Sequence, residues 1–271
     1  MNDAPRRRRL VLALESGLND PPGLLAAAVN VATALRADLD AFLIEDENIL
    51  RAAALPGTWL VPAHGASTQL FDATTVRRAF RVRSADLRKQ LAIHADARAL
   101  RWTLKTESGF VADRLAEMVT GTDTVVVCHM RHRGARGTLT DIVHQTPASV
   151  FLYNRDAQLG EKVIAVYTGE DSILPTAQAL AVGVGLPFEV LVLANDVESL
   201  NSRADAVGQW LSDHGQAAVP GGILMDEAAE WVDRLVKSSP ATFVCAPGGS
   251  GMTDVSIARL ADAKSVMIVR V

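Results

Sequence analysis

The strongest constraint on the fold is an internal repeat. The apolar segment 39–46 ends at an aspartate, and so does the similar segment 189–196. A leucine follows each aspartate at the same distance, at Leu50 and at Leu200. Such self-similarity is typical of a chain built from two copies of one structural unit.

The repeat extends to two glycine-rich segments. The apolar run 125–128 precedes Gly134 and Gly137, and the apolar run 243–245 precedes the segment 248–251. In both halves we therefore expect the order strand, helix, strand, helical stretch, weak strand, helix, strand, glycine-rich loop, helix, strand.

Continuous apolar runs bounded by turn residues predict buried strands, and helical patterns lie between them. This alternation favours an α/β fold: two tandem doubly wound domains, each a five-stranded, mainly parallel sheet with helices on both faces. The predicted strands are 10–14, 39–44, 124–128, 149–153, 163–167, 190–194, 242–245 and 265–269, with weaker candidates at 100–105 and 217–224. Helix starts are expected at the Asn19–Pro22 segment and at Asp171–Ser172.

The length of 271 residues suits two α/β units. We predict one domain over residues 1–157 and a second over 158–271, with the polar stretch 154–161 as the linker. The first half carries an insertion, because 82 positions separate Asp46 from Cys128 but only 49 separate Asp196 from Cys245.

The insertion predicts two helices. Residues 47–57 indicate a short helix that stops at Pro-Gly, and residues 74–99 indicate a long amphipathic helix with a basic, solvated face. Its apolar stripe would pack either on the chain's own sheet or on a second copy, and we expect a homodimer. The stripe consists of Val76, Phe80, Leu87, Leu91 and Ala95.

Composition narrows the possible functions. Hydrophobic residues make up 49% of the chain, which favours a globular fold over disorder. The net charge of -4 gives no general attraction to nucleic acid or to an anionic membrane, and neither is an expected partner. The basic run 6–9 precedes an apolar stretch too short for a secretory signal, and the two cysteines form no disulfide framework. We therefore expect a cytoplasmic protein.

Each half resembles a universal stress protein domain, and the whole chain resembles a tandem universal stress protein. The resemblance rests on the order of elements, on Glu15 at the end of the first strand, on the segment 45–48 and on the glycine-rich loops. It implies an adenine nucleotide alpha hydrolase-like fold whose domains pair through their last strands. It also implies an ATP site made by an aspartate at the end of strand 1 and a loop of the form Gly, two residues, Gly, nine residues, Gly, then Ser or Thr.

The second half keeps part of that nucleotide motif. Its glycines would let the backbone amides approach phosphate at a helix N-terminus, with the base near Thr168 and Ala194. The resemblance breaks at Ala261, where the family has glycine, and at Thr168, where it has aspartate. The expected phosphate-binding residues are Gly248, Gly249, Ser250, Gly251 and Thr253.

The first half keeps a different part of the motif. Glu15 retains a carboxylate, and Gly134 and Gly137 keep the first glycine spacing, but Pro147 replaces the later glycine. In both halves the alternative is a strand-to-helix turn with glycines for steric reasons only. If a nucleotide binds, we expect it in the second half.

The favoured function is a non-catalytic stress-response protein that binds an adenine nucleotide weakly or a protein partner. The alternative is an interaction scaffold with decayed nucleotide sites, and the segment 47–99 would be its partner surface. An adenylating or nucleotide-hydrolysing enzyme is less favoured, because no general base can be identified. Cys128 and Cys245 are expected to be buried thiols rather than a redox pair, and no metal site is expected.

Overall fold

The computed structural model describes residues 8–15, 23–60, 69–129, 143, 146–216, 221–224, 230–237, 240–247 and 253–270. The strands are β1 (Arg9–Glu15), β2 (Asp38–Asp46), β3 (Trp59–Leu60), β4 (Gln69–Leu70), β5 (Trp102–Gly109), β6 (Thr124–His129), β7 (Ser149–Asn154), β8 (Lys162–Tyr167), β9 (Phe188–Ala194), β10 (Gly221–Leu224), β11 (Ala241–Cys245) and β12 (Ser265–Ile268). The helices are α1 (Leu24–Ala34), α2 (Glu47–Ala54), α3 (Ala73–Asp96), α4 (Val111–Met118), α5 (Ile173–Val184), α6 (Val197–Asp213), α7 (Glu230–Lys237) and α8 (Asp254–Ala261).

The predicted strands are confirmed, including both weaker candidates in their described parts. The expected start of the first helix is wrong. Helix α1 begins at Leu24, after Gly23 in the left-handed conformation at φ 88°, whereas Asn19–Pro22 lie outside the described residues. Ser172 does precede α5, as predicted.

Ten strands form one continuous sheet in the order β10-β9-β8-β11-β12-β7-β6-β1-β2-β5. The strands of each half are parallel to one another and follow the same order. The halves meet where β7 and β12 pair antiparallel, with Leu152 opposite Val266. The predicted pairing through the last strands is therefore confirmed, while the domain boundary at residue 157 stays a prediction.

Helices cover both faces of this sheet, as predicted. Adjacent strand residues alternate between the faces, so that Val11 joins one hydrophobic core and Leu12 the other. Helices α1, α3, α5 and α6 contribute to the core with Leu12, and α4, α7 and α8 contribute to the core with Val11. Each core contains residues of both halves, such as Leu12 and Ala165 on the first face.

The polar stretch between the halves is anchored at its start. The buried Asn154 side chain donates to the carbonyl of Ala261 at 2.7 Å and accepts from the amides of Asp156 and Ala157 at 2.9 and 3.0 Å. Its backbone amide donates to Ser265 Oγ at 2.9 Å. These bonds fix the exit of β7 against the last strand of the second half.

The apolar stripe of the long helix α3 is buried within the chain. Leu87, Leu91 and Ala95 join the core that contains α1, and Val76 and Phe80 pack with Ala53 of α2. Of the two alternatives for this stripe, the structure shows packing within the chain, partly on the core of the main sheet and partly on α2. A homodimer through another surface stays a prediction. Within the described ranges, no helix is long and apolar enough to cross a membrane.

Candidate functional site

The strand order reverses at one place in each half, and such a reversal is where ligands bind in parallel sheets. The order reverses at β8, which lies between β9 and β11, and at β1, which lies between β2 and β6. In open parallel sheets, ligands bind outside the carboxyl ends of the strands at such a reversal. In the second half the residues at this place are Thr168, Glu170, Asp171, Ala194 and Arg203, which we call the second-half edge.

Thr168 directly follows β8 and is 3% exposed. Its hydroxyl donates a hydrogen bond to the Glu170 carboxylate. Ala194 is fully buried at the end of the neighbouring strand β9. The structure thus places Thr168 and Ala194 at the ends of adjacent strands, as the sequence predicts, and adds a carboxylate to the threonine.

The carboxylates of Glu170 and Asp171 give this edge negative charge. Burial, together with Asp171 and Glu170, raises the pKa of Tyr167 above its ordinary value. Burial and the Glu170 charge also raise the pKa of the Cys245 thiol at the end of β11 to about 12. Cys245 is therefore neutral at neutral pH, and its burial is as expected from the sequence. The two carboxylates would oppose the binding of a further anion.

Arg203 supplies a positive charge at the same edge. It lies on α6, and its Nη1 donates to the carbonyl oxygen of Leu193 at 2.5 Å. The guanidinium lowers the pKa of Tyr167, whereas the two carboxylates raise it. Arg203 is therefore close enough to Tyr167 to act on the same group as the carboxylates. An anion bound at this edge would be attracted by Arg203 and repelled by the carboxylates of Glu170 and Asp171.

Thr253 has a structural role at the start of α8. Its Oγ1 accepts from the Ser256 amide at 3.2 Å, which makes it the N-cap of the helix. The other predicted phosphate-binding residues, Gly248, Gly249, Ser250 and Gly251, lie outside the described residues.

The first half is described less completely. Glu15 ends β1 opposite Ile44, while Gly134 and Gly137 lie outside the described residues. Cys128 is half-buried on β6, opposite the buried Tyr153 of β7. Among the described side chains, no cluster of three histidine, cysteine or acidic residues could hold a metal ion.

The sequence analysis missed Glu170, Asp171 and Arg203. The two acidic residues lie three and four positions after the end of the buried strand β8, a place that already indicates the carboxyl edge of a parallel sheet. No local pattern marks Arg203, because it reaches the edge from the middle of α6.

Comparison by sequence finds no relatives. No family model matches the chain, and no curated protein matches it.

Comparison by structure finds chains of similar length and the same fold. A universal stress protein from Archaeoglobus fulgidus DSM 4304 has a TM-score of 0.64 at 8% identity, covering 96% of this chain and 98% of its own. A Pseudomonas aeruginosa UCBPP-PA14 protein assigned to the universal stress proteins has a TM-score of 0.59 at 12% identity, covering 97% and 93%. The cytoplasmic domain of a prokaryotic cation chloride cotransporter gives a TM-score of 0.50 at 12% identity, covering 97% and 95%. At these identities the likeness establishes that the chain has the universal stress protein fold.

Proposed function

We propose that the chain is a non-catalytic tandem universal stress protein, with domains at residues 1–157 and 158–271, that acts in a stress response and binds an adenine nucleotide weakly. The observation that carries the proposal is the shared fold over nearly the whole of both chains. The doubled strand order, with one reversal in each half, supports the two-domain arrangement.

The second half is the proposed nucleotide site. The base of the nucleotide would lie near Thr168 and Ala194. Its phosphates would lie near the amides of residues 249–253, where glycines permit a close approach. The acidic pair beside Thr168 favours low affinity, because phosphate would bring further negative charge to that edge. We expect micromolar affinity or weaker, about -8 kcal/mol or less favourable.

The direct test is to identify what the purified protein carries. One sample is denatured immediately after purification, and the released small molecules are identified by mass spectrometry. A second, native sample is thermally unfolded with and without millimolar MgATP. We expect recovery of ATP, ADP or AMP, or a rise in Tm with MgATP. If the extract contains no nucleotide and MgATP does not shift the Tm, nucleotide binding is rejected and the interaction scaffold is favoured.

A further inference from the structure

A cleft of about 890 Å³ lies between helix α3 and strand β5, which ends the sheet. We call it the α3–β5 cleft. It is distant along the sheet from the second-half edge, since nearly the whole strand order separates β5 from β8 and β9. Its lining includes Arg81, Ser84, Ala85, Arg88, Trp102 and Thr106.

Strand β5 presents backbone hydrogen-bonding groups toward this cleft. The carbonyl of Arg101 accepts from the Leu39 amide, so Arg101 faces β2. Successive residues of a parallel strand point their backbone groups alternately to the two sides. The groups of Trp102, Leu104 and Thr106 therefore point away from β2, and within the described residues no strand pairs with that side.

Helix α3 leaves space beside this edge. Ser84, Ala85 and Ala92 are small and lie on the face of the helix that lines the cleft. The Ser84 and Thr106 hydroxyls are 3.3 Å apart at one point of the cleft. At another, Arg88 Nη2 donates to the outward carbonyl of Leu104 at 2.9 Å. The Arg88 side chain, rather than a neighbouring strand, thus donates to one outward backbone carbonyl of β5.

The charges around the cleft favour an acidic occupant. Arg81, Arg88 and Lys89 line it, and among the described lining residues Glu45 is the only carboxylate. Edge-to-edge pairing with a second copy would bring two such basic helices together, which like-charge repulsion opposes. An extended acidic segment instead offers carboxylates to the arginines and backbone groups to β5.

We propose that the α3–β5 cleft binds an extended acidic segment of a partner protein, which adds to β5 as a further strand. The segment's backbone amide replaces Arg88 at the Leu104 carbonyl. The freed guanidinium then pairs with a carboxylate of the segment, so that neither partner loses a hydrogen bond.

The test uses a fluorescein-labelled peptide of alternating glutamate and valine, seven residues long with both termini blocked, and the full chain. Fluorescence anisotropy gives the affinity, and hydrogen exchange reports the amides of residues 102–108. Comparison peptides replace glutamate with lysine or carry an N-methyl group at every residue, so that no backbone amide can pair with β5. The variants are Arg81→Glu and Arg88→Glu, with Arg78→Glu as the control, because exposed Arg78 lies on the same helix outside the cleft lining.

We expect the acidic peptide to bind with slowed exchange in β5, and the lysine and N-methyl peptides to bind at least tenfold more weakly. Arg81→Glu and Arg88→Glu should each weaken binding at least tenfold, while Arg78→Glu changes it less than threefold. The proposal is overturned if the acidic peptide fails to bind at millimolar concentration or protects other amides. Equal binding of the N-methyl peptide would indicate anion recognition by side chains alone, and would also overturn it.

Discussion

At the scale of single residues, one long-range ion pair illustrates what the fold adds to the sequence. Arg9 donates through Nη2 to Asp123 Oδ2 at 2.7 Å and through Nε to Oδ1 at 3.3 Å. Asp123 is 6% exposed and also accepts from the Thr120 amide at 2.8 Å. In the sequence Arg9 is part of a basic run, and no local pattern indicates a partner so far along the chain.

This pair predicts a pH-dependent loss of stability. Burial alone would raise the pKa of Asp123, but hydrogen bonds from Arg9 and Thr120 outweigh it and hold the pKa below its ordinary value. The carboxylate therefore stabilises the fold fully above about pH 4, the unfolded pKa, and this contribution is lost as the pH falls through the lower folded value. Asp123→Asn should cost about 1–3 kcal/mol at pH 7, and much less near pH 2.

Urea denaturation at several pH values measures this effect. Asp86→Asn is the control, because Asp86 is exposed on α3, and it should change stability by less than about 0.5 kcal/mol. A cost for Asp123→Asn that stays constant from pH 7 to pH 2 would contradict the pairing.

The second-half edge gives a prediction about ligand affinity. Glu170→Gln keeps an acceptor for Thr168 but removes a negative charge from the proposed nucleotide site. The lost repulsion, about 1 kcal/mol, should tighten MgATP binding roughly fivefold in isothermal titration. Glu161→Gln, at the exposed opposite end of β8, should leave affinity unchanged. Weaker binding by Glu170→Gln would assign Glu170 a direct role in holding the ligand.

At the scale of elements, the sequence predicts what local chemistry controls. The apolar runs become strands, and each repeated aspartate becomes a helix N-cap: Asp46 accepts from the Asn48 amide at 2.8 Å, and Asp196 from the Ser199 amide at 2.7 Å. The stripe on α3 is predicted as a stripe, but its periodicity cannot tell what covers it. The carboxylate beside Thr168 is unpredicted because it depends on how the chain turns after β8.

The crossing of α1 and α5 depends on one glycine. A Cβ built on Gly183 would lie 2.1 Å from the Ala34 Cβ and 2.3 Å from its Cα, so the helices must separate to admit a side chain. Gly183→Ala should destabilise the protein by about 1–3 kcal/mol. Gly208, within α6, has nothing within 4 Å of its built Cβ, and Gly208→Ala should stabilise by about 0.5–1 kcal/mol. Denaturation midpoints that shift in the same direction for both variants would contradict this close approach.

At the scale of the whole molecule, the halves are repeated in topology but shared in packing. Both cores cross from one half to the other, and β7 pairs with β12. We therefore predict that residues 1–157 and 158–271, expressed separately, aggregate or fail to unfold cooperatively, because each exposes a long strand edge and part of a core. Coexpression should restore a folded pair in size-exclusion chromatography. Two cooperatively folded monomers would contradict the shared cores.

Isothermal titration of MgATP into the wild type, Gly249→Val and Gly134→Val tests the proposed nucleotide site most directly. Valine at either position would block the backbone approach that a phosphate needs. We predict weak binding by the wild type and by Gly134→Val, and none by Gly249→Val. Loss of binding only in Gly134→Val would place the site in the first half, and unchanged binding by both variants would contradict a role for either loop.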